Sequence, residues 1–337
     1  MSVSDLRQTE FGAQVEVYRR ELGAHCYRMM GSIQDAEDMV QETFLRAWRR
    51  HEALEEVSSL KAWLYAIATN ACLDALKRRP KRLAPIMLGA ASTLTEPIPQ
   101  KILEPIWLEP YPDALLLTGD ERNPEEVVIE REHITLAFIV ALHLLPPRQR
   151  AVLLLRDVLD WPASEVATFL DTTVSAVKSA LHRARAILAD HYHDHHAPGA
   201  DPDLKLDSTT QQQLNAYVGA WEAADSVALA RLLKEDATFS MPPIPAWYRG
   251  RESIRALVSR TVFSGEAHGR WRLLPTAANA QTAFGLYRQA ETSGLYQAYG
   301  IQVVTRSGQM IRDITTFIDA ELFAHFDLPP TLSTVPV

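Results

Sequence analysis

The regular spacing of apolar residues between positions 35 and 49 constrains the fold more than any other feature of the sequence. In this segment, DAEDMVQETFLRAWR, apolar residues recur three and four positions apart, which places them on one face of an α-helix. That face is formed by Ala36, Met39, Val40, Thr43, Phe44, Ala47 and Trp48. Acidic residues concentrate near the start of the segment, where the helix dipole favours them. The spacing predicts an amphipathic helix packed on a core and, by itself, indicates no function.

The length and composition predict a multidomain globular protein. The chain has 337 residues, of which 47% are apolar and 23% charged, so we expect two or three domains. No apolar run reaches the roughly 18 residues of a membrane span. The N-terminus MSVSDLRQTE lacks the basic and apolar parts of a signal peptide, so we expect a cytoplasmic protein without a membrane partner. We expect no disulfide between Cys26 and Cys72 in the cytosol, and neither cysteine has the CxxC spacing of a zinc or redox site. No metal or cofactor is expected.

The charge distribution permits DNA binding only through local surfaces. The formal charge of −8 argues against a protein that coats nucleic acid through its overall charge. The basic residues are nevertheless clustered: five lie within residues 77–82, and the acid-free segment 172–188 contains Lys178, His182, Arg183 and Arg185. Because local basic surfaces matter more than the total charge, both segments are candidate DNA-binding surfaces.

The N-terminal part of the chain is predicted to be helical. Residues 11–79 indicate consecutive helices with a turn at 31–32. A second apolar-periodic run over 58–79 ends in the basic cluster and a proline, which is a typical helix stop. Aromatic rings beside basic residues suit single-stranded DNA, because bases stack on rings while cations hold the backbone. Trp63 and Tyr65 are therefore either base-stacking residues or part of the helical core.

The sequence predicts further helices over residues 136–188. In the second half of this segment, the spacing of apolar residues is that of a helix-turn-helix. One apolar helical face precedes a turn at 171–173 and another follows it. The two faces comprise Val166, Ala167 and Leu170, then Val174, Val177, Leu181 and Leu188. Asp171 is tolerable at the turn because aspartate can adopt a left-handed conformation. A preceding helix is predicted to begin at NPEE, residues 123–126.

Two stretches closely resemble sigma factors of the extracytoplasmic-function (ECF) group of the sigma-70 family. HCYRMMGSIQDAEDMVQETFLRAWRR, residues 25–50, resembles the polymerase-binding helix of region two. LPPRQRAVLLLRDVL, followed by EVATFL and SAVKSALHRARAIL, resembles region four, whose second helix enters the major groove of the minus-thirty-five element. The resemblance covers about residues 10–190. It implies a transcription initiation factor without catalytic residues, whose partners are core RNA polymerase and promoter DNA.

The resemblance also implies three sets of binding residues. The set for core polymerase is Asp35, Asp38, Gln41, Glu42, Phe44, Leu45 and Trp48. The set for the melted minus-ten element is Trp63, Tyr65, Asn70, Lys77, Arg78 and Arg79. The set for the minus-thirty-five element is Thr173, Ser175, Ala176, Lys178, Ser179, His182, Arg183 and Arg185. The last two arginines are either DNA contacts or solvated surface charges, and Ala180 stands where many relatives have arginine, which reduces base readout.

Two segments are predicted to be linkers. Residues 80–124 hold eight of the 20 prolines and lack helical or strand periodicity, so we predict a partly extended chain there. PIWLEPYPDALLL, residues 105–117, is apolar enough to dock on a surface that the sequence leaves undefined. Its sequence resembles that of a sigma subgroup with an extra C-terminal domain. In HYHDHHAPGADPD, residues 191–203, four histidines favour a solvated segment over a metal site.

The C-terminal third is predicted to be an α+β domain. YVGAWEAADSVALARLLKEDATFSMPPIPAWYRGRESI resembles SnoaL-like domains, in which helices cover a curved antiparallel sheet shaped as a cone. The predicted elements are a helix over 213–233, a strand, proline turn and helix over 236–257, strands over 282–289, 296–305 and 310–318, and a turn at 306–309. The cone implies a candidate pocket for a small-molecule ligand, lined by Trp221, Met241, Trp247, Tyr287 and Asp313. Asp313 and His268 are candidate acid–base residues; the alternative is that the aromatic residues only pack the core.

The predicted fold is multidomain, with two all-α sigma domains followed by the α+β cone-shaped domain. The predicted boundaries are 9–80 for region two, 81–122 for a first linker, 123–190 for region four, 191–207 for a second linker and 208–330 for the SnoaL-like domain. We expect the last domain to regulate the sigma module in cis. The alternative is a cyclase or isomerase tethered to a DNA- or polymerase-binding module. A helix-turn-helix repressor is disfavoured because it needs no polymerase-docking helix, and an anti-sigma partner is left undefined.

Overall fold

The chain divides into two compact units. The computed structural model describes residues 11–50, 59–102, 107–116, 133–195, 208–290 and 294–333. One unit contains residues up to Arg82 together with Ala114–His195, and the other contains Leu83–Asp113 together with residues from His196 onward. The helix start predicted at 123–126 lies outside the described residues. Among the described helices, none is long and apolar enough to cross a membrane.

The first half of the first unit is a three-helix bundle preceded by a helical stretch over 11–16. The helices are α1 (Arg19–Met30), α2 (Ile33–Arg49) and α3 (Leu60–Leu76). The predicted turn at 31–32 is confirmed: Gly31 is left-handed at φ 76°, and the Ser32 hydroxyl accepts a hydrogen bond from the Asp35 amide at 3.2 Å. These two caps end α1 and begin α2 within two residues, so the helices pack as antiparallel neighbours.

The second half of the first unit contains the predicted helix-turn-helix. Its elements are α4 (Leu136–Leu144), α5 (Pro147–Leu153), a π-helical turn (Leu154–Val158), α6 (Ala163–Phe169) and α7 (Val174–His195). Asp171 has the expected left-handed conformation at φ 48°. The buried face of α7 begins at Val177 and includes Ala184, whereas Val174 is 40% exposed, contrary to prediction. The helix also continues beyond 191, where a linker was predicted, because no glycine or proline interrupts the sequence before His195.

The second unit packs three main helices on a mixed β-sheet. The helices are α8 (Ser208–Glu222), α9 (Ser226–Leu232) and α10 (Arg251–Arg260), and a short α11 (Leu322–His325) lies near the C-terminus. The single helix predicted over 213–233 is wrong. It breaks at Ala224, which has φ 53°, and restarts where the Asp225 carboxylate accepts hydrogen bonds from the Val227 and Ala228 amides, each at 2.9 Å. Aspartate is a favoured N-cap, so it marks a new helix.

The sheet follows the order β2-β1-β6-β5-β4-β3, with β7 paired to β5. The strands are β1 (Leu233–Ser240), β2 (Trp247–Arg249), β3 (Trp271–Ala278), β4 (Gln281–Gln289), β5 (Tyr296–Ser307), β6 (Met310–Phe317) and β7 (Thr331–Leu332). The prediction of an antiparallel sheet holds except that β1 runs parallel to β6. Hairpins force antiparallel pairing, whereas the long connection from β1 to β6 allows parallel pairing.

The two faces of the sheet are covered by different parts of the chain. On the helical side, the Tyr217 and Phe284 rings stack at 5.5 Å, and Trp221 meets Trp271 at 6.0 Å. Along β4, Phe284 and Leu286 belong to this core cluster, whereas a side chain at Gly285 would meet Phe323 and Leu328. Because successive strand residues face opposite sides, α11 and the segment after it cover the second face.

The proline-rich segment 83–113 belongs to the second unit and covers both edges of its sheet. At the β2 edge, the Ser92 amide donates to the Trp247 carbonyl at 2.7 Å, and the Trp247 indole donates to the Gly89 carbonyl at 2.9 Å. At the β3 edge, the Asn279 amide donates to the Tyr111 carbonyl at 2.8 Å. Sheet edges expose unpaired backbone groups, so an extended segment with few donors of its own can satisfy them. The docking surface that the sequence left undefined is therefore this sheet.

Leu94 of that segment is partly buried beneath the helices of the second unit. Leu94 packs against the cluster of buried residues beneath the helices. Its carbonyl accepts a hydrogen bond from the Arg260 guanidinium, at the end of α10, at 3.2 Å. The Ile102 amide donates to the Pro243 carbonyl at 3.0 Å. The segment is thus held at its two ends and in its middle.

Candidate polymerase and promoter interfaces

The outer face of α2 carries the residues predicted to bind core polymerase. Leu45 and Trp48 are 53% and 39% exposed, which is unusual for large apolar side chains. The Trp48 ring also meets the Phe11 ring, at 6.2 Å between centroids. Phe44 is half-buried beneath the Arg19 guanidinium, which lies 4.9 Å from the ring centroid. The polar members of the set, Asp38, Gln41 and Glu42, also lie on the exposed or half-buried side.

Two residues predicted for different partners pair with each other. Asp35, at the start of α2, forms an ion pair with Arg79 just beyond the end of α3. Arg82 also donates to Asp35, with Nη2 at 2.7 Å and Nε at 3.0 Å from the same carboxylate oxygen. In this conformation Arg79 is compensated by an acid, so contact with a phosphate requires an exchange of partners.

Helix α3 exposes some of its predicted DNA contacts and buries another. Asn70, Lys77 and Arg78 are exposed, and Trp63 is half-buried. Tyr65 is only 4% exposed; its hydroxyl donates to the Glu21 carboxylate at 3.2 Å. The placement of Tyr65 matches the alternative that it packs the helical core. A base can stack on this ring only if its present neighbours move.

Buried histidines stay neutral in the first unit. Burial lowers the pKa of His25 to about 3, with a smaller contribution from the Arg28 charge. The Thr69 hydroxyl donates to the Tyr65 carbonyl at 2.8 Å, so His25 Nε2 is the donor in its 2.9 Å contact with that hydroxyl. Burial also lowers the pKa of His143 well below its ordinary value. A neutral imidazole can accept, and His143 Nε2 lies 3.2 Å from Arg150.

Arg150 is a buried charged residue, structural in its contacts, that the sequence analysis missed. It is 2% exposed, and its guanidinium donates to the Leu142 carbonyl at 3.0 Å, the Leu145 carbonyl at 3.3 Å and the Met29 carbonyl. These carbonyls lie at the ends of α1 and α4, where helix dipoles favour a cation. Burial lowers the pKa of Arg150 to about 9, which leaves the guanidinium charged at neutral pH. Its position in an apolar stretch, RAVLLL, is the only sequence signal of burial.

The outer face of α7 presents the set predicted for the minus-thirty-five element. All eight residues of the set are exposed. The Thr173 hydroxyl accepts a hydrogen bond from the Ala176 amide at 3.1 Å and caps the helix. Arg185 differs from the other basic residues because it forms a bidentate ion pair with Asp157, at 2.9 and 2.7 Å. Because Asp157 lies in the π-helical turn, Arg185 links α7 to that turn. Lys178, His182 and Arg183 form the basic surface.

The structure does not bring the five candidate pocket residues together. Trp221 and Met241 lie in the core cluster, and Trp247 holds the segment 83–113. Tyr287 meets Phe323 at 5.1 Å on the opposite face of the sheet.

The candidate acid–base pair is also separated. Asp313 accepts a hydrogen bond from the Thr238 hydroxyl at 2.7 Å, on the sheet face opposite the helical core, while His268 is exposed in a turn. Within the described ranges no group of histidine, cysteine or acidic residues could hold a metal ion.

Comparison with known proteins defines the class and then the family. Three family models match: Sigma-70 region 2 over residues 14–82, Sigma-70, region 4 over 135–188, and SnoaL-like domain over 214–314. The first two describe a sigma-70 type transcription factor. The ECF RNA polymerase sigma factor SigG of Mycobacterium tuberculosis is 41% identical over 331 residues, which cover 98% of this chain and 86% of that relative. This chain belongs to the ECF RNA polymerase sigma factors.

More distant relatives share parts of this architecture. SigW of Bacillus subtilis is 27% identical over 188 residues, covering 56% of this chain and 91% of that relative. A crystal structure of Mycobacterium tuberculosis SigJ, 22% identical, has a TM-score of 0.59 and covers 94% of this chain and 99% of that one, so the two share a fold. As a sigma factor, the chain is a transcription initiation factor rather than an enzyme, and its partners are core RNA polymerase and promoter DNA.

Proposed function

We propose that this sigma factor, acting in the cytoplasm, binds core polymerase through α2, the minus-ten strand through α3 and the minus-thirty-five duplex through α7. The observation that carries the proposal is the two-sided character of α7. Its apolar side chains Val177, Leu181 and Ala184 are buried, and all eight predicted contacts face solvent behind a capped first turn. A helix of this kind can enter a major groove without rearranging its own domain.

Promoter recognition is tested first by transcription with purified core polymerase on a library of promoter fragments, which defines both elements. Lys178→Ala is then expected to weaken binding to the minus-thirty-five duplex and to lower the slope of log affinity against log salt by about 1, because one phosphate contact is lost. Lys178 is preferred to Arg185, whose pairing with Asp157 makes its replacement a structural change.

Lys234→Ala, on β1 of the second unit, also removes one lysine charge but lies outside region 4 in the sequence, so it serves as the control. An unchanged salt slope for Lys178→Ala would contradict the assignment of α7. Absence of both core binding and promoter-dependent transcripts from the full chain would contradict the whole proposal.

A second proposal concerns the SnoaL-like domain, which we infer to modulate the sigma factor in cis through residues 83–113. This segment joins the two promoter-binding regions in sequence and is bound along the sheet by backbone hydrogen bonds and by Leu94. Any ligand or partner that changes the sheet edges or the core around Leu94 changes the length of chain available between the two regions.

Leu94→Asp is expected to release the segment, because a carboxylate is costly to bury in an apolar cluster. Hydrogen exchange at the Ser92 and Ile102 amides would accelerate, and transcript yield would change several-fold. Leu88→Asp, on an exposed position of the same segment, is the matched control and should leave both unchanged. Released amides with wild-type transcript yield would mean that the segment has no regulatory role.

A further inference from the structure

We propose that Trp161 and Phe169 of region 4 occupy the surface of α3 that receives the minus-ten strand. In the sigma factor without polymerase, these two residues would then compete with promoter DNA for that surface. The inference rests on the proposed role of α3. It concerns a contact between region 2, residues 14–82, and region 4, residues 135–188, within the first unit.

The contact places an aromatic ring and a carbonyl group against the candidate strand-binding residues. The Trp161 ring meets the Tyr65 ring at 6.1 Å with an interplanar angle of 75°, and Phe169 lies 5.0 Å behind Trp161. The Phe169 carbonyl accepts a hydrogen bond from the side-chain amide nitrogen Nδ2 of Asn70 at 3.4 Å. A nucleobase offers the same two features, a flat ring and a carbonyl acceptor, to a protein surface that binds single strands.

The loop that presents Trp161 is fixed by its own hydrogen bonds. The Trp161 amide donates to the Leu155 carbonyl at 2.9 Å, and its carbonyl accepts from the Arg156 guanidinium. Asp160, the residue before it, has φ 52°, a left-handed conformation that aspartate can adopt and that turns the chain sharply before Trp161. A half-buried indole held on such a loop is positioned for a defined contact, and in this structure that contact is α3.

Promoter binding and this closed contact exclude each other. The two promoter elements lie about 25 base pairs apart, which is about 85 Å along B-form DNA at about 3.4 Å per base pair. Regions 2 and 4, which bind them, touch each other here. Two polar contacts reinforce the closure: Arg28 Nε donates to the His133 carbonyl at 3.0 Å, and Arg150 donates to the Met29 carbonyl. Region 4 must leave α3 before both elements can be bound.

The test uses the full chain and a single-stranded oligonucleotide carrying the non-template minus-ten sequence defined by the transcription library. Its affinity is measured by fluorescence anisotropy in the absence of polymerase. Trp161→Ala is expected to raise the affinity about tenfold, because the competitor loses its ring. Trp161→Phe retains a ring and should give a smaller gain. Ser164→Ala, on an exposed position of the same helix as Phe169, should bind as the wild type does.

The outcomes separate this inference from the proposal on which it rests. Asn70→Ala is measured in the same assay, and Phe169→Leu serves as a second opening variant if Trp161→Ala lowers the melting temperature. Wild-type affinity in both opening variants, with reduced affinity in Asn70→Ala, would overturn the internal competitor and leave the role of α3 intact. Unchanged affinity and unchanged transcript yield in Asn70→Ala would remove α3 as the strand-binding surface, and the competitor with it.

Discussion

Replacing Arg150 with methionine is expected to lower the free energy of unfolding of the first unit by about 3 kcal/mol. Methionine fills much of the volume of the arginine stem but offers no donor. Besides His143 Nε2, Arg150 has as acceptors the backbone carbonyls of Met29, Leu142 and Leu145, which no side-chain substitution removes. The Leu142 carbonyl keeps the Leu145 amide as a donor at 3.1 Å. For the Met29 and Leu145 carbonyls, each buried oxygen that loses its donor costs about 1–3 kcal/mol, and the loss is only partly offset by avoiding a buried charge.

The measurement for Arg150 is denaturant-dependent hydrogen exchange of the α1 and α5 amides in the full chain, which reports on the first unit separately. Arg148→Met, an exposed position on the same helix, is the control and should change stability by less than about 0.5 kcal/mol. Equal opening free energies for the two variants would show that water or rearranged backbone replaces the hydrogen bonds that Arg150 donates. The Arg150 guanidinium would then not be the structural link between α1 and α4.

Gly300→Ala is expected to destabilise the second unit by about 3 kcal/mol or more, the upper end of overpacking effects. A Cβ at this position would overlap the Phe317 carbonyl oxygen and would lie 3.1 Å from the Ile318 Cα. Both are backbone atoms of the strand paired with β5 and of the residue after it, so relief requires the strands to move apart. Gly300 also adjoins a register shift between β4 and β5, where the ladder is already interrupted.

The effect of Gly300→Ala is measured by thermal unfolding, and alanine substitutions of two other glycines provide the comparison. Gly285→Ala would meet the Leu328 Cδ1 at 2.6 Å, the end of a flexible side chain, so its cost should be smaller. Gly219→Ala, in α8, has nothing within 4 Å of its Cβ and should stabilise by about 1 kcal/mol. If Gly300→Ala melts at the wild-type temperature, the close approach of β5 and Phe317 is not required by the fold.

Local patterns in the sequence predict the helices well and the sheet less well. The period of the apolar residues in α2 and the turn at 31–32 are local signals that the structure confirms, except that Trp48 of the predicted apolar face is 39% exposed. The second predicted run is a helix, α3, but its burial is not confined to the predicted face, because Tyr65, Ala66 and Thr69 are also buried. The strand β3 was missed because WRLLPTAA contains Pro275, which normally argues against a strand. The proline is tolerated because β3 is the last strand of the sheet, where one side of the backbone needs no partner strand.

The parts of the site that sequence reasoning could not reach depend on long-range placement. The candidate pocket grouped Trp221 with Tyr287, but a strand turns successive side chains to opposite faces, and Tyr287 faces Phe323 instead. Arginine is normally a surface residue, and Arg150 is buried only because the ends of two helices converge on it. The contact of Trp161 with Tyr65 joins residues whose neighbourhoods are unrelated in sequence, so no period or motif predicts it.

The docked segment 83–113 sets an order of events during synthesis. Asp113 is translated 167 residues before Ala280, whose amide it binds, so the segment leaves the ribosome long before the β3 edge exists. At about 5–20 residues per second, that delay is roughly 10 to 30 seconds. Regions 2 and 4 are both complete before the sheet is finished. Each new molecule therefore has its two promoter-binding regions before it has the surface that holds the chain between them, so the proposed regulation in cis can begin only when synthesis of the sheet is complete.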